Sequence, residues 1–399
     1  MKSALLLVTA LFGADASYAQ QTARDEIARY VQVLADAGQL SGTLLVARGD
    51  DVLLELAYGR ADYRQPAANT PATLFAIASP TKPLTGIVAR TLAERGILGL
   101  DDPVAKWIPD FPNGARITIA HLLGHRSGIP HRVTQLADEQ RTHTAESMVA
   151  LIARAQPRFE PGAQRMYSSA GFTLLARVLE LAAGKPYAQL LREIVLAPAD
   201  ATAATDASET TLAGRARAHG HFWTPNGPLA TVDKQLSFLV GAGSLWATPR
   251  DLFKVMRRIA AGGYGTGAVA GARTPDGRIQ WSGFSNGFLS IADYQPTTDV
   301  TVIFTGNLLT GAADWIIRDV PRIIAGENVA APVPPRPAVV TLSDVTRQRL
   351  EGVYDFGGAE QPLKFVDSSL ATLGGEYLLA ATSDTSFFAP QNYTEFIVL

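Results

Sequence analysis

The stretch Phe75-Ala-Ile-Ala-Ser79-Pro-Thr-Lys82-Pro-Leu-Thr-Gly86 decides how the rest of the chain is read. It sets a hydroxyl and an amine three residues apart, and on an α-helix those positions share a face. The local chemistry starts a helix here. Ser79 suits the N-cap, and Pro80 suits the first helical position, where a missing N–H costs nothing. Leu84, Ile87, Val88 and Leu92 recur at helical spacing, and Gly96 supplies a stop. Pro83 lacks the N–H that would reach the Ser79 carbonyl, a defect the first turn tolerates. A serine hydroxyl becomes a strong nucleophile only when a base takes its proton. Lys82 is that base if burial or nearby positive charge lowers its pKa. The same four residues also describe a capping serine followed by a surface lysine, so the choice rests on the remaining sequence.

The 399 residues are 47% hydrophobic and 18% charged, which suits one large domain with a smaller one attached. A formal net charge of −2, with no run of basic residues, gives nucleic acid no electrostatic footprint. The absence of cysteine excludes disulfides, a thiolate nucleophile and a cysteine metal site. Lys2, the apolar run Ala4 to Ala14 and Ser17-Tyr-Ala19 form the pattern of an export signal over residues 1–19, cut after Ala19. That predicts a periplasmic or secreted protein. The run is too short to span a bilayer and no later segment is apolar enough, so no stable membrane anchor is expected.

A helical pattern containing Ile27, Val31, Val33 and Leu34 ends at Gly38. Gly42 to Ala47 and Val52 to Tyr58 read as a hairpin about Gly49-Asp-Asp51. The middle of the chain is mostly helical, with segments over 146–155, 171–183, 187–196 and 251–259. Strand patterns return at 279–282, 287–292 and 300–305, followed by a helix over 314–324. Strands at both ends of a large domain predict one antiparallel sheet with the helical block beside it. Ala330-Ala-Pro-Val-Pro-Pro-Arg-Pro337 reads as a proline-rich linker over 330–340, and 341–399 as a small β-rich region. His121 and His125 stand at i, i+4, and His219 and His221 alternate, but neither pair has a third ligand at metal-site spacing, so no metal is expected.

Six segments together carry a resemblance. Thr73-Leu-Phe-Ala-Ile-Ala-Ser-Pro-Thr-Lys-Pro83 resembles the nucleophile segment of the penicillin-recognising serine hydrolases. Leu100-Asp-Asp-Pro-Val, His121-Leu-Leu-Gly-His-Arg-Ser-Gly-Ile-Pro130 and Phe159-Glu-Pro-Gly162 are similar to segments of the class C β-lactamase-like branch of that superfamily. Tyr167-Ser-Ser-Ala-Gly-Phe172 and Gly241-Ala-Gly-Ser-Leu-Trp-Ala-Thr-Pro-Arg-Asp-Leu252 complete the order. The resemblance runs from about Gly42 to about Gly306. It implies an α+β fold, an antiparallel sheet flanked by helices, with a mostly helical subdomain over about 97–235 and the active site between them. It places a serine hydrolase domain over 20–329. It also implies roles: Ser79 as the acylated nucleophile, Lys82 as base or proton relay, and Tyr167 sharing the proton traffic, with Lys82 lowering the phenol's pKa.

Two departures bear on substrate. Where the family often has Lys-Thr-Gly, this chain has Trp281-Ser282-Gly283. The backbone N–H groups of Ser79 and Phe284 then form the oxyanion hole. Tryptophan offers an apolar face and one N–H donor but no positive charge for a substrate carboxylate. Ser169 stands where the lactamases have asparagine. The pattern is nearest to the family VIII carboxylesterases, which implies short-chain ester hydrolysis without a cofactor. Amide or peptide hydrolysis at D-residues, β-lactam hydrolysis, and an acylated sensor that does not turn over are the alternatives. Gly283-Phe-Ser285-Asn-Gly287 matches the nucleophile elbow of α/β-hydrolases, but the strand-like Phe288-Leu-Ser-Ile that follows is not the helix that elbow needs.

Overall fold

The computed structural model describes residues 21–397 apart from 210, 211, 213, 357 and 358. The export-signal reading therefore lies outside the described residues. Among them, no helix is long and apolar enough to cross a membrane.

Five strands form one antiparallel sheet: β1 (Gly42–Arg48), β2 (Asp51–Tyr58), β3 (Ile279–Ser285), β4 (Phe288–Gln295) and β5 (Val300–Gly306). Their order is β2-β1-β5-β4-β3, so the two ends of the large domain meet where β1 pairs β5 from Gly42↔Gly306 to Arg48↔Val300. Strand alternation divides the core. Leu44, Val46, Val302 and Phe304 face one way, against α1 (21–36) and α5 (Ala312–Ile324). Leu45, Ala47 and Ile303 face the other, against α2 (Thr81–Glu94) and the helical middle of the chain, which includes α3 (Ser169–Ala183) and α4 (Pro249–Ala260). Tyr30 of α1 donates to the buried Asp319 of α5 at 2.6 Å, which fixes the two outer helices to each other.

The expected hairpins and helices form, and Leu84, Ile87, Val88 and Leu92 are all buried. One local expectation fails. Ser79 does not cap α2: the helix starts at Thr81, and its N-cap is Pro80 without a side-chain bond. The Ser79 hydroxyl is engaged with other side chains, and its carbonyl accepts instead from the Lys82 N–H at 2.9 Å. That i+3 bond removes the penalty expected from Pro83. The middle region also holds short strands, including Leu245–Ala247, which pairs with both Phe75–Ala76 and Thr205–Asp206.

Beyond 328–343, which holds no helix or strand, the chain forms a helix over Asp344–Leu350 and then an antiparallel sheet. Its six strands are β6 (Gly352–Phe356), β7 (Ala359–Phe365), β8 (Leu370–Leu373), β9 (Tyr377–Ala381), β10 (Ser386–Ala389) and β11 (Thr394–Ile397). The β8–β9 turn drives Glu376 into the main domain. There Glu376 meets Arg132 at 3.1 Å and Lys234 at 3.0 Å, and it accepts from the Asn286 N–H at 2.9 Å. Glu139 completes the cluster, 2.8 Å from both cations. Burial raises the Glu376 pKa, but the charges of Arg132 and Lys234 outweigh it and hold the carboxyl below its ordinary value.

Removing one member of a buried ionic cluster leaves its partners desolvated and unpaired. Glu376→Ala is therefore expected to cost roughly 3–5 kcal/mol. Urea denaturation of the full chain measures this, and a loss below about 1 kcal/mol would mean that the cluster is not holding the C-terminal sheet in place.

Candidate active site

Ser79 sits at a strand-to-helix elbow. Phe75–Ala76 pairs with the Leu245 strand, and the Ile77 N–H continues that ladder to the Leu245 carbonyl at 3.0 Å. Ala78 then takes a left-handed conformation at φ 54°. This is strained for a residue with a Cβ, and it swings Ser79 out of the strand direction and onto the start of α2. On the opposite side, Ser290 donates to the Ile77 carbonyl at 2.5 Å and ties the elbow to β4.

Three side chains converge there. Ser79 Oγ is 2.7 Å from the Tyr167 hydroxyl and 3.3 Å from Lys82 Nζ. Lys82 is 5% exposed, and its Nζ donates to the Ala242 carbonyl at 2.8 Å. Desolvation pulls this amine down to about 7. Tyr167 moves the other way. Desolvation raises its pKa, and the hydrogen bond with Ser79 only partly offsets the rise. The expectation that Lys82 would lower the phenol's pKa is thus overturned. Desolvation of the phenol is the larger effect, and Lys82, drawn down to about 7, carries only part of a charge at neutral pH.

Two histidines hold Tyr167. His125 Nδ1 accepts from the Ser168 N–H at 3.1 Å, and His131 Nδ1 accepts from the Ser169 N–H at 3.2 Å. Their rings lie 4.6 and 5.2 Å from the Tyr167 ring. Burial first, then the neighbouring Lys82, lowers both imidazoles to about 4, so each stays neutral and keeps an acceptor nitrogen for its amide. His131 was not legible as a site residue. It is 38 residues from Ser169, and no local pattern marks it. His121 is not paired with His125 for a metal: its Nδ1 accepts from the Thr118 N–H within a helix cap. Asp62, His219 and His221 do cluster, but Arg64 forks onto Asp62, Asp233 lies 2.6 Å from His219 Nε2, and His221 bonds the His219 carbonyl and the Tyr63 N–H. Protein groups already occupy most of the atoms that would ligate an ion.

Strand β3 forms the opposite wall. Asn286 and Gly287, at φ 51° and 78°, make the two-residue turn to β4. In such a hairpin Ser285 and Phe288 exchange hydrogen bonds, so the next pair, Phe284↔Leu289, does not. The Phe284 N–H therefore points off the ladder, at the free edge of the sheet. That edge lies against the Ser79 elbow. A Cβ on Gly283 would stand 2.6 Å from the Ser79 nitrogen and 2.5 Å from Pro80 Cδ. Ser285 lies at this turn with no helix after it, as expected for a decoy. Trp281 differs from expectation. Strand alternation points it inward, at 6% exposure, and its indole N–H donates to the Ala272 carbonyl at 2.9 Å, so it offers the cleft no donor. Ser282 and Phe284, the outward residues, face the main cleft, while Trp281 borders a neighbouring cavity that also reaches Ser79 and Lys82.

A cavity of about 460 Å3 opens on Ser79 and Tyr167 and takes in Ser169, Ser282 and Gly283. Val133, Met148, Phe238 and Leu239 make it largely apolar. Tyr377 from the C-terminal sheet closes one side, with its ring 5.2 Å from that of Phe284. A serine bonded to a phenol and a depressed amine, beside an outward amide and an apolar cavity, is equipped for acyl transfer.

A family model described as Beta-lactamase matches residues 27–325. Penicillin-binding protein 4* of Bacillus subtilis is 32% identical over 185 residues, which is 45% of this chain and 41% of that protein. Esterase EstB of Burkholderia gladioli is 32% identical over 185 residues, 42% of this chain and 47% of its own. The chain thus spans about half the length of these curated relatives, or less. The crystal structure of SurE superposes with a TM-score of 0.66 at 24% identity, covering 93% of this chain and 92% of that one, a likeness of fold.

Gly283→Ala would force β3 away from the nucleophile elbow. A displacement of ~1 Å in a reacting site costs on the order of 10²-fold, so kcat/KM should fall by about that factor while circular dichroism stays native. Near-wild-type turnover would show that β3 does not position the reaction.

Proposed function

Since the chain belongs to the Beta-lactamase family and is a serine hydrolase, we propose that it is a carboxylesterase for short-chain esters, working through an acyl-enzyme on Ser79. The observation that carries this reading is a lysine lowered to about 7 within hydrogen-bond reach of a serine hydroxyl. As a neutral amine, Lys82 accepts the Ser79 proton while still donating to the Ala242 carbonyl. Ser79 Oγ bonds the ester carbon, and the backbone amides of Ser79 and Phe284 receive the developing oxyanion. Tyr167 stays a neutral phenol, and its proton goes to the leaving alkoxide and is replaced by way of Lys82. Water activated by the same pair then releases the acid.

The ester preference draws support from three features. The apolar cavity suits an uncharged acyl chain. Trp281 and Ser169 stand where lactam-recognising relatives carry a lysine and an asparagine. EstB, a relative over part of the chain, is named an esterase. We further propose that residues 1–19 direct export, so that the enzyme acts in the periplasm or outside the cell.

Two outcomes test this reading. Wild type should cleave p-nitrophenyl butyrate much faster than a chromogenic cephalosporin, and Ser79→Ala should abolish ester cleavage. Efficient cephalosporin turnover would favour the lactamase reading instead. The second outcome is a pH profile. The active base is the deprotonated amine, so kcat/KM should rise with pH and level off above about 7. A plateau reached only near the ordinary lysine value would remove Lys82 as the base.

A further inference from the structure

Ser79 and Tyr167 stand between two cavities of opposite character. The second, of about 510 Å3, shares Ser79, Lys82 and Tyr167 with the apolar one and runs along α2. Its walls carry Arg90, Arg165 and Gln280. Arg90 follows Lys82 and Gly86 at intervals of four residues, so all three share one helix face, with Arg90 about 12 Å along the axis from Lys82. Gly86 leaves that face bare: an added Cβ would meet only Leu123, at 3.8 Å.

Many arginines of the main domain have acidic partners, among them Arg64, Arg116, Arg132, Arg177, Arg257 and Arg278. The side chains of Arg90 and Arg165 make no ion pair or hydrogen bond among the described residues, and the Arg90 Nε is buried without any acceptor. Burial lowers the Arg90 pKa with nothing to offset it. The charge of Arg165 is felt as far as His125, whose pKa it helps to lower. A half-buried guanidinium such as that of Arg90, without an acceptor, loses solvation with no compensation, and its fork matches a carboxylate or phosphate. With a net charge of −2 overall, the chain as a whole does not account for this local excess of positive charge.

We infer that this second cavity is an anion subsite for the departing half of the substrate. The preferred ester joins an uncharged acyl group, held in the apolar cavity, to an alcohol that carries a carboxylate or phosphate, held by Arg90 and Arg165. The inference rests on the ester reading above. In the step concerned, Ser79 Oγ bonds the acyl carbon, the bond from that carbon to the alcohol oxygen breaks, and the alcohol leaves with one proton.

The test compares p-nitrophenyl butyrate with its 3-carboxy-4-nitrophenyl and 3-phosphono-4-nitrophenyl counterparts. Wild type should prefer one or both anionic esters by kcat/KM, and the two arms separate carboxylate from phosphate. Arg90→Gln and Arg165→Gln should each reduce the anionic-to-neutral ratio by roughly tenfold, the worth of a charge-assisted hydrogen bond. Arg90→Lys should retain part of the preference, and added salt should erode it. Arg165 lies exposed, so its variant should fold even if Arg90→Gln does not. A ratio of one or less in wild type, or a preference that neither variant reduces, would overturn the inference. So would a stronger preference for mono-p-nitrophenyl glutarate, whose charge lies on the acyl side.

Failure of the ester reading is read separately. Ethyl ethylphosphonates bearing the neutral and carboxylated nitrophenols phosphonylate Ser79 once and release the phenol, and intact mass follows the adduct. If wild type turns over no ester, the ester reading falls. A faster reaction of the carboxylated phosphonate, abolished by Arg165→Gln, would still establish the subsite, and equal rates would dismiss it.

Discussion

Burial of the Lys82 amine is the constraint on which the rest of the site depends. Among the described residues, its Nζ hydrogen-bonds one carbonyl and one hydroxyl, and no carboxylate pairs with it. An ammonium in that position would lack the solvation it needs, so the amine gives up its proton near neutrality. The surroundings maintain this. The Gly241–Gly243 loop brings a carbonyl, not a carboxylate, to the amine. His125 and His131 add no positive charge at neutral pH, because burial and Lys82 itself keep them neutral. An amine in this state can accept the proton of the adjacent serine hydroxyl, so any nucleophilic strength of Ser79 comes from its environment and not from its own chemistry.

The second requirement is close approach of backbones. The Ser79 elbow and β3 touch so closely that only hydrogen fits at position 283, and Ala78 is held left-handed to make the turn. Sheet, elbow and helix α2 are thereby locked into one geometry. The hairpin at Asn286-Gly287 fixes the register of β3, and the register decides which residues face out. Trp281 turns inward, Ser282 and Phe284 turn to the cleft, and the Phe284 amide is left outside the ladder. A shift of one residue would reverse all of these.

The C-terminal sheet joins the site through Glu376. Four charges from three distant parts of the chain balance one another there: Arg132, Glu139, Lys234 and Glu376. Pairing in place offsets the cost of desolvating them only while all are present. The same turn delivers Tyr377 to the cavity wall, so the position of this sheet and the shape of the apolar cavity are set together.

The amino-acid sequence by itself determined the helices and strands whose periodicity is strong, and the motifs that identify the superfamily. α2 is legible from Leu84, Ile87, Val88 and Leu92, and the hairpin from Gly49 between two apolar runs, because these signals are local. Ser79, Lys82 and Tyr167 were legible as a constellation because six spaced segments coincide. What only the tertiary structure decided depends on contacts between residues far apart in the chain. The Ser79 side chain serves Tyr167 instead of capping its own helix, since the phenol arrives from 88 residues away. The indole of Trp281 is spent on Ala272. His131, Glu376 and the unpaired Arg90 carry no local signature, because desolvation and pairing are properties of the folded surroundings and not of any short stretch of sequence.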